Sequence, residues 1–576
     1  SIHEPYEMLF YNRGRIMAVI ENDDHVGKHA QLLLEFMQNE RRTTWKKADE
    51  LDNNRCNSIA FEDAWLLYPP GETVFRLDGG GWRAYKVARV EVSPYPSLDP
   101  IRIHGYYLGF DKTGKSLVPQ LEVLSIKPYP SEQPIRRLEV VPKRHIHQIK
   151  PGLEAELIGR GRKYWKYKRE AFHQWYTGDA WSMTAGKAST NVIIDHATGS
   201  GYDRSRQSQL EPSPPEPLRC IACLGKALDL GPYPTHQVFH NSRVCNVPDE
   251  TPKLEVPEAS TDIVDDSLLL FCPSMVWAFS LQHKSWRLVP VEDLSNIERD
   301  ETAWKDWLVS NTGQKKLDKA VSSVLGATER PNTGKRQGLK VLLCGGPGTG
   351  KTFTAECLAA KYAAPLYRVT AAMLGMDPKK LDEELGIAIR RASDWRAILL
   401  IEDAGIFLQN RHNNIYRSGL LSVFASHLDA SDALIFVTMC GEPDNGIISR
   451  MDWPVYLEDL DKDSQKLIWH KLIDSTNVGQ VNRMQLKTFV ENRLPWEDLG
   501  NLNGHQIKAC FRAALALSSP NGTNGDEVVD LTDEKLSTVL KLTQEFRLAV
   551  GVPATGVAEG LCQMMGAELG QSMLGE

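Results

Sequence analysis

Between residues 338 and 460, short apolar runs alternate with amphipathic stretches. The runs at 341–344, 366–370, 397–401, 434–438 and 455–457 are rich in Val, Leu and Ile, the pattern of strands buried on both faces. The stretches at 350–362, 379–393 and 415–428 read as helices; in the last, Leu421, Phe424, Ala425 and Leu428 keep a helical spacing. Strand and helix in alternation predict a parallel sheet covered on both faces, with the glycine-rich turn after 344 at the carboxyl end of its first strand. After 461 the pattern is purely helical. Trp469 and Ile473, then Ile507, Cys510, Phe511 and Ala514, then Leu536, Val539, Leu540 and Phe546 describe a small bundle.

Upstream the periodicity is different. Residues 1–202 alternate short aromatic and β-branched runs with turn signals. Val74-Phe75-Arg76-Leu77, for example, passes through Asp78-Gly79-Gly80-Gly81 into a second run at 82–87. Similar runs at 101–110 and 121–126 predict a β-rich, α+β domain. One helix is predicted near 26–40, around Leu32, Leu33, Leu34, Phe36 and Met37. A second, basic and aromatic, is predicted near 160–176, from Arg160, Arg162, Lys163, Tyr164, Trp165, Lys166, Tyr167 and Lys168. Basic residues interleaved with aromatics could follow a nucleic-acid backbone. A half-buried helix whose cations snorkel to water fits the overall charge better. Residues 203–262 are Pro- and Ser-rich and read as a linker. Runs at 267–271, 275–281 and 286–289 then look like strands returning to the first domain, and a helix with Trp304, Trp307 and Leu308 leads onward. The predicted organisation is therefore 1–202 β-rich domain, 203–262 linker, 263–315 joining strands and helix, 316–460 α/β core, 461–550 helical lid and 551–576 tail.

Composition narrows the function classes. Lys and Arg total 67 against 74 Asp and Glu, a net charge of −7, which disfavours a whole-protein nucleic-acid footprint. Several of the ten Cys sit inside apolar patterns (Cys344, Cys357, Cys510), so reduced thiols in a cytoplasmic or nuclear compartment are expected. No apolar run has the length of a membrane span. Cys220, Cys223, His236 and His240 have the spacing of a two-Cys, two-His zinc site. Pro232 and Pro234, where such a finger needs its helix, argue against it.

The strongest chemical signal is Gly345-Gly346-Pro347-Gly348-Thr349-Gly350-Lys351-Thr352, a complete G-x-x-x-x-G-K-[ST] loop followed by the helix that Phe353 opens. Glycines let backbone N–H groups wrap a triphosphate at a helix N-terminus that already favours anions. Lys351 reaches the β/γ-phosphates and the Thr352 hydroxyl holds Mg²⁺. A further apolar run, Ile398-Leu399-Leu400-Ile401, ends in two acids, Glu402 and Asp403, carboxylates that are costly beside a buried strand without partners. ATP and Mg²⁺ are the expected cofactors.

A phosphate-loop α/β core followed by a helical lid resembles the AAA+ ATPase family. The likeness is closest to the large fungal AAA group with a β-rich domain of uncharacterised type in front, over roughly 263–550 and more loosely over 1–202. The resemblance implies ATP hydrolysis, a hexameric homo-oligomeric ring and a protein or other macromolecular substrate to be remodelled. It assigns Glu402 to the metal, Asp403 to the base that polarises water, and Arg450 to the neighbouring subunit's nucleotide. It also marks departures. The family places Asp before Glu, whereas this chain has Glu402 before Asp403. Cys440 stands where the sensor has Asn, His505 where the lid has Arg, and Met373-Leu374-Gly375 lacks the pore aromatic of translocating relatives. A hydrolysis-impaired, nucleotide-binding scaffold is the alternative expectation. A DNA-binding regulator built on the linker cysteines and the basic helix is a third.

Overall fold

The computed structural model describes residues 7–22, 24–53, 55–79, 81–92, 99–110, 117–167, 171–179, 181, 187–196, 198–199, 265–302, 304, 312–326, 338–409, 415–494, 502–518 and 529–550. The chain divides into two compact units, Ser1–Ser295 and Asn296–Glu576. The zinc-like Cys220, Cys223, His236 and His240, together with Trp307 and Leu308, lie outside the described residues.

The first unit begins with helices Glu7–Tyr11, Arg13–Asn22, Asp24–Glu40 and Arg42–Asp52. The third covers the helix predicted near 26–40. The others went unpredicted: Glu7–Tyr11 is only five residues long, the apolar residues of Arg13–Asn22 form one continuous run, Ile16 to Ile20, without helical spacing, and Arg42–Asp52 buries only Ala48 and Leu51. Phe10 anchors this layer edge-on to Trp65, with ring centroids 5.6 Å apart at 80°. Beside it lie a short antiparallel pair, β1 (Ser58–Ala60) and β6 (Glu132–Pro134), and an antiparallel sheet of β2 (Thr73–Asp78), β3 (Gly81–Glu91), β4 (Ile101–Phe110), β5 (Leu117–Ile126) and β7 (Val140–Pro142) in the order β5-β4-β3-β2-β7. The turn predicted at 78–81 closes the β2–β3 hairpin, pairing Asp78 with Gly81.

A second sheet has the order β11-β10-β9-β8-β12. It contains β8 (Phe172–Asp179), β9 (Lys187–Ile194), β10 (Met275–Ser280), β11 (Trp286–Pro290) and β12 (Leu294–Asn296). Here the sequence reading needs two corrections. The run at 267–271, expected as a strand, instead opens with the short helix Asp266–Leu269, whose first turn is capped by the Asp265 carboxylate accepting from Ser267 N–H. The basic helix runs Leu153–Lys166 and does not continue to 176, where β8 lies instead. From 174 to 177 burial alternates, with Gln174 and Tyr176 inward and Trp175 and Thr177 outward; this is a period of two that the aromatic run concealed. The helix buries Leu153, Leu157, Arg160, Gly161 and Tyr164 along one face. Arg160 donates to the Trp82 carbonyl at 2.8 Å, and Arg162 reaches Asp266 from the exposed side.

The second unit holds a five-stranded parallel sheet of order β14-β15-β16-β13-β17: β13 (Leu339–Gly345), β14 (Leu366–Thr370), β15 (Ile398–Glu402), β16 (Leu434–Met439) and β17 (Trp453–Leu457). Helices Lys351–Tyr362, Pro378–Asp394 and Ile415–Ala430 connect the strands, as the alternation predicts. Val341, Leu343, Ala355, Leu358, Ile398, Leu400 and Phe436 are buried in one core between sheet and helices. Helices Lys462–Ser475, Gln480–Asn492, Gly504–Ser518 and Asp533–Val550 follow as a separate bundle around Trp469, Ile507, Phe511 and Leu536. Parallel strand, covering helix and C-terminal bundle are the predicted fold class. No helix among the described residues is long and apolar enough to cross a membrane.

Candidate nucleotide site

The glycine-rich loop leaves the carboxyl end of β13, the strand flanked by β16 and β17. Gly348 and Gly350 take φ of +75° and +93°, the left-handed region that turns the chain into the helix Lys351–Tyr362. Thr349 Oγ1 donates to the Gly346 carbonyl at 2.9 Å and fixes the bend. Lys351 is buried, and its ammonium donates to the carbonyls of Gly345 (2.9 Å) and Gly346 (2.7 Å). A buried cation needs such acceptors, and phosphate oxygens are the stronger ones. Thr352 and Phe353 occupy the first turn of this helix, whose start is further braced by a 2.9 Å bond from buried Gln314 to Thr354. Next to the loop, burial pushes the Cys344 thiol up to about 11 against the opposing pull of Lys351.

The lid meets the loop directly. The Gly504 N–H donates to the Gly348 carbonyl at 3.2 Å, and a side chain at Gly348 would strike the Asn503 amide. Asn503 and Gln506 form a reciprocal capping box at the start of Gly504–Ser518. Gln506 N–H donates to Asn503 Oδ1 at 2.9 Å, and Asn503 N–H to Gln506 Oε1 at 3.0 Å. His505 is exposed on this first turn. One turn on, the Lys508 ammonium lies 5.1 Å from the centre of the Phe353 ring.

Glu402 ends β15 and Asp403 follows it. One strand, β16, separates β15 from β13, so the acids stand roughly 10 Å along the carboxyl edge from the loop. Asp403 has φ +53°, left-handed for a residue with a side chain. Its N–H donates to the Thr438 hydroxyl at 3.2 Å, and the next N–H, of Ala404, to the Thr438 carbonyl at 2.9 Å. Cys440 is the first residue beyond β16, with a free, half-buried thiol. Arg450 follows the short helix Asn445–Ile448 and is held within its own chain. Its Nε donates to Asp429 at 2.9 Å and its Nη1 to the Gly446 carbonyl at 2.6 Å. Met373 and Leu374 end the short helix Ala371–Leu374, Met373 exposed and Leu374 buried.

The loop, lid turn, acid pair and Cys440 thus share one edge of the sheet and its facing lid, while Arg450 lies further along the segment after β16. The oxygen donors Thr352 and Glu402 are the class Mg²⁺ takes, and one or two protein oxygens beside phosphate are its usual protein share. The donor set fits. Among the described residues no three His, Cys, Asp or Glu converge into a cage of their own. Sequence reasoning missed the capping role of Asn503 and Gln506, whose N-x-x-Q spacing was available as a signal. It also missed Thr438 as a hydroxyl acceptor and Gln409, for which no sequence signal existed.

Residues 341–457 match the family model of the ATPase family associated with various cellular activities (AAA). Residues 49–147 match that of a domain of unknown function, DUF7025. Among solved structures the chain is similar to the FIGL-1 AAA domain in complex with ADP, at 17% identity and a TM-score of 0.31, covering 43% of this chain and 86% of that one. No curated protein matches the chain.

Proposed function

We propose, on the premise that residues 341–457 form an AAA domain, that this chain binds Mg·ATP and couples its hydrolysis to remodelling a macromolecule. The observation that carries the reading is the complete phosphate loop on its parallel-sheet edge, with a buried lysine already turned onto carbonyl oxygens. In this reading the loop from Gly345 to Thr352 wraps the phosphates, and Lys351 exchanges its carbonyl partners for phosphate oxygens. Phe353 and His505 border the nucleotide from the helix and the lid. Thr352 and Glu402 hold Mg²⁺, which when bound supplies neutralisation of phosphate charge. Asp403 accepts a proton from the attacking water, Cys440 lines the water's position, and Arg450 leaves Asp429 to serve a neighbouring copy in a ring. The domain limits given above, and a reducing cytoplasmic or nuclear setting consistent with the six free cysteines among the described residues, belong to the same proposal.

A second reading, a nucleotide-binding scaffold with impaired hydrolysis, is favoured by Asp403. This acid sits on a left-handed backbone and is one methylene shorter than the usual base. Affinity and turnover measured on one preparation separate the two. Mg·ATP binding should survive Asp403→Asn and be lost in Lys351→Ala, and turnover should fall in both. Tight ATP binding by Lys351→Ala would sink the assignment. Binding without phosphate release in the wild type would select the scaffold.

A further inference from the structure

Gln409 is the first residue after the helix Gly405–Leu408, which itself starts two residues beyond the acid pair. Its side-chain amide crosses to the neighbouring segment and donates to the Cys440 carbonyl at 2.8 Å. Two glycines make room for it. A side chain at Gly441, where φ is +83°, would begin 2.9 Å from Gln409 Nε2, and one at Gly405 3.3 Å from it. Backbone bonds zip the same two segments on both sides of this amide. Ala404 N–H donates to Thr438 O at 2.9 Å, Asp444 N–H donates to Leu408 O at 2.8 Å, and Gln409 pairs with Pro443 in an antiparallel bridge. From there Asp444 Oδ1 caps the helix Asn445–Ile448 by accepting from Gly446 N–H at 2.7 Å, and the Gly446 carbonyl holds Arg450.

We propose that Gln409 is a positioning residue that ties the acid pair at the end of β15 to the segment carrying Cys440 and Arg450, an inference that rests on the nucleotide-site reading above. A change in the backbone at Asp403 passes along the helix Gly405–Leu408 to the amide, which carries it to Cys440 and so to the arginine's cap. A neutral amide suits the task because it must donate to a carbonyl; a carboxylate of the same size cannot.

The test combines Gln409→Leu and Gln409→Glu, each with its melting temperature recorded, and follows amide hydrogen exchange at residues 440–450 with and without Mg·ATP in the full chain. In the wild type Mg·ATP shifts exchange across this segment. In both variants the shift disappears, while ATP affinity stays within about two-fold, and any turnover falls about ten-fold without change in KM. Arg450→Ala then adds nothing further in the Gln409→Leu background, the signature of two residues acting as a unit. A preserved exchange response in Gln409→Glu, or fully additive effects with Arg450→Ala, overturns the proposal. If the wild type binds no ATP, the functional reading fails by itself. The tie is then read from Asp403→Gly, whose effect on exchange at 440–450 must still vanish with Gln409→Leu; persistence of that effect overturns it.

Discussion

At the scale of single residues, Asp403 joins conformation to chemistry. A left-handed backbone is tolerated by Asp and Asn, whose short side chains bond locally, and less readily by Glu. The double exchange Glu402→Asp with Asp403→Glu, which restores the usual order of acids, therefore has two opposed effects. A longer carboxylate behind the water should raise turnover roughly ten- to a hundred-fold, the size of correcting a ~1 Å misplacement. Forcing Glu into the left-handed region should cost about 0.5–1 kcal/mol, or about 2 °C in melting temperature. Phosphate release and a thermal melt on the same variant check both, and no gain in turnover would favour the scaffold reading. The phosphate loop was legible in the sequence because glycine announces positive φ by its identity. Asp403 was not, since nothing in an Asp-Ala-Gly string states which residue takes the left-handed turn. Gln409 was hidden for the same reason, its partner being a main-chain carbonyl 31 residues away.

At the scale of elements, alternation and spacing placed the five core strands and their helices closely, because the three inner strands are buried nearly throughout and the edge strands β14 and β17 still bury alternate residues. They failed where apolar residues were few, at Arg42–Asp52, where they ran together without a period, at Arg13–Asn22 and in the run at 267–271, and where aromatics blurred two periods into one between 160 and 176. The lid helix Gly504–Ser518 depends on its first turn. Asn503→Ala removes the cap acceptor of Gln506 N–H and should cost about 1 kcal/mol. The same change takes away the amide that packs on Gly348, so ATP affinity should drop a few-fold along with stability. Gln506→Ala, which breaks the box but leaves Asn503 against the loop, should lose stability and keep affinity. Chemical denaturation and ATP titration of both variants read this out. Equal loss of affinity in the two would assign the effect to the helix rather than to the contact.

For the whole molecule, the first unit carries a pH dependence of its own. In the first, His196 is packed against Phe110 with ring centroids 4.2 Å apart, and burial depresses its pKa from 6.5 to about 4. Above pH 6.5 the imidazole is neutral whether the chain is folded or not. Between 6.5 and 4 the unfolded chain takes up a proton that the folded one refuses, so stability falls as pH falls, by at most about 1.4 kcal/mol per unit. Because the buried Glu7 carboxyl, raised to about 7, contributes with the opposite sign, the check is the difference between wild type and His196→Phe: the variant should lose less melting temperature through that window, and an identical pH slope would remove His196 as a contributor. The construction of that unit also bears on how it is made. Its second sheet joins β9, which ends at Ile194, to β10, which begins at Met275, with Ile194 paired to Ala278. A chain emerging from a ribosome can form the first sheet and its helical layer early. It cannot close the second until the strands beyond residue 275 have cleared the exit tunnel. At 5–20 residues per second, about 4–16 seconds of synthesis separate the two strands, and during them the edge of β9 stands open to whatever strand arrives first.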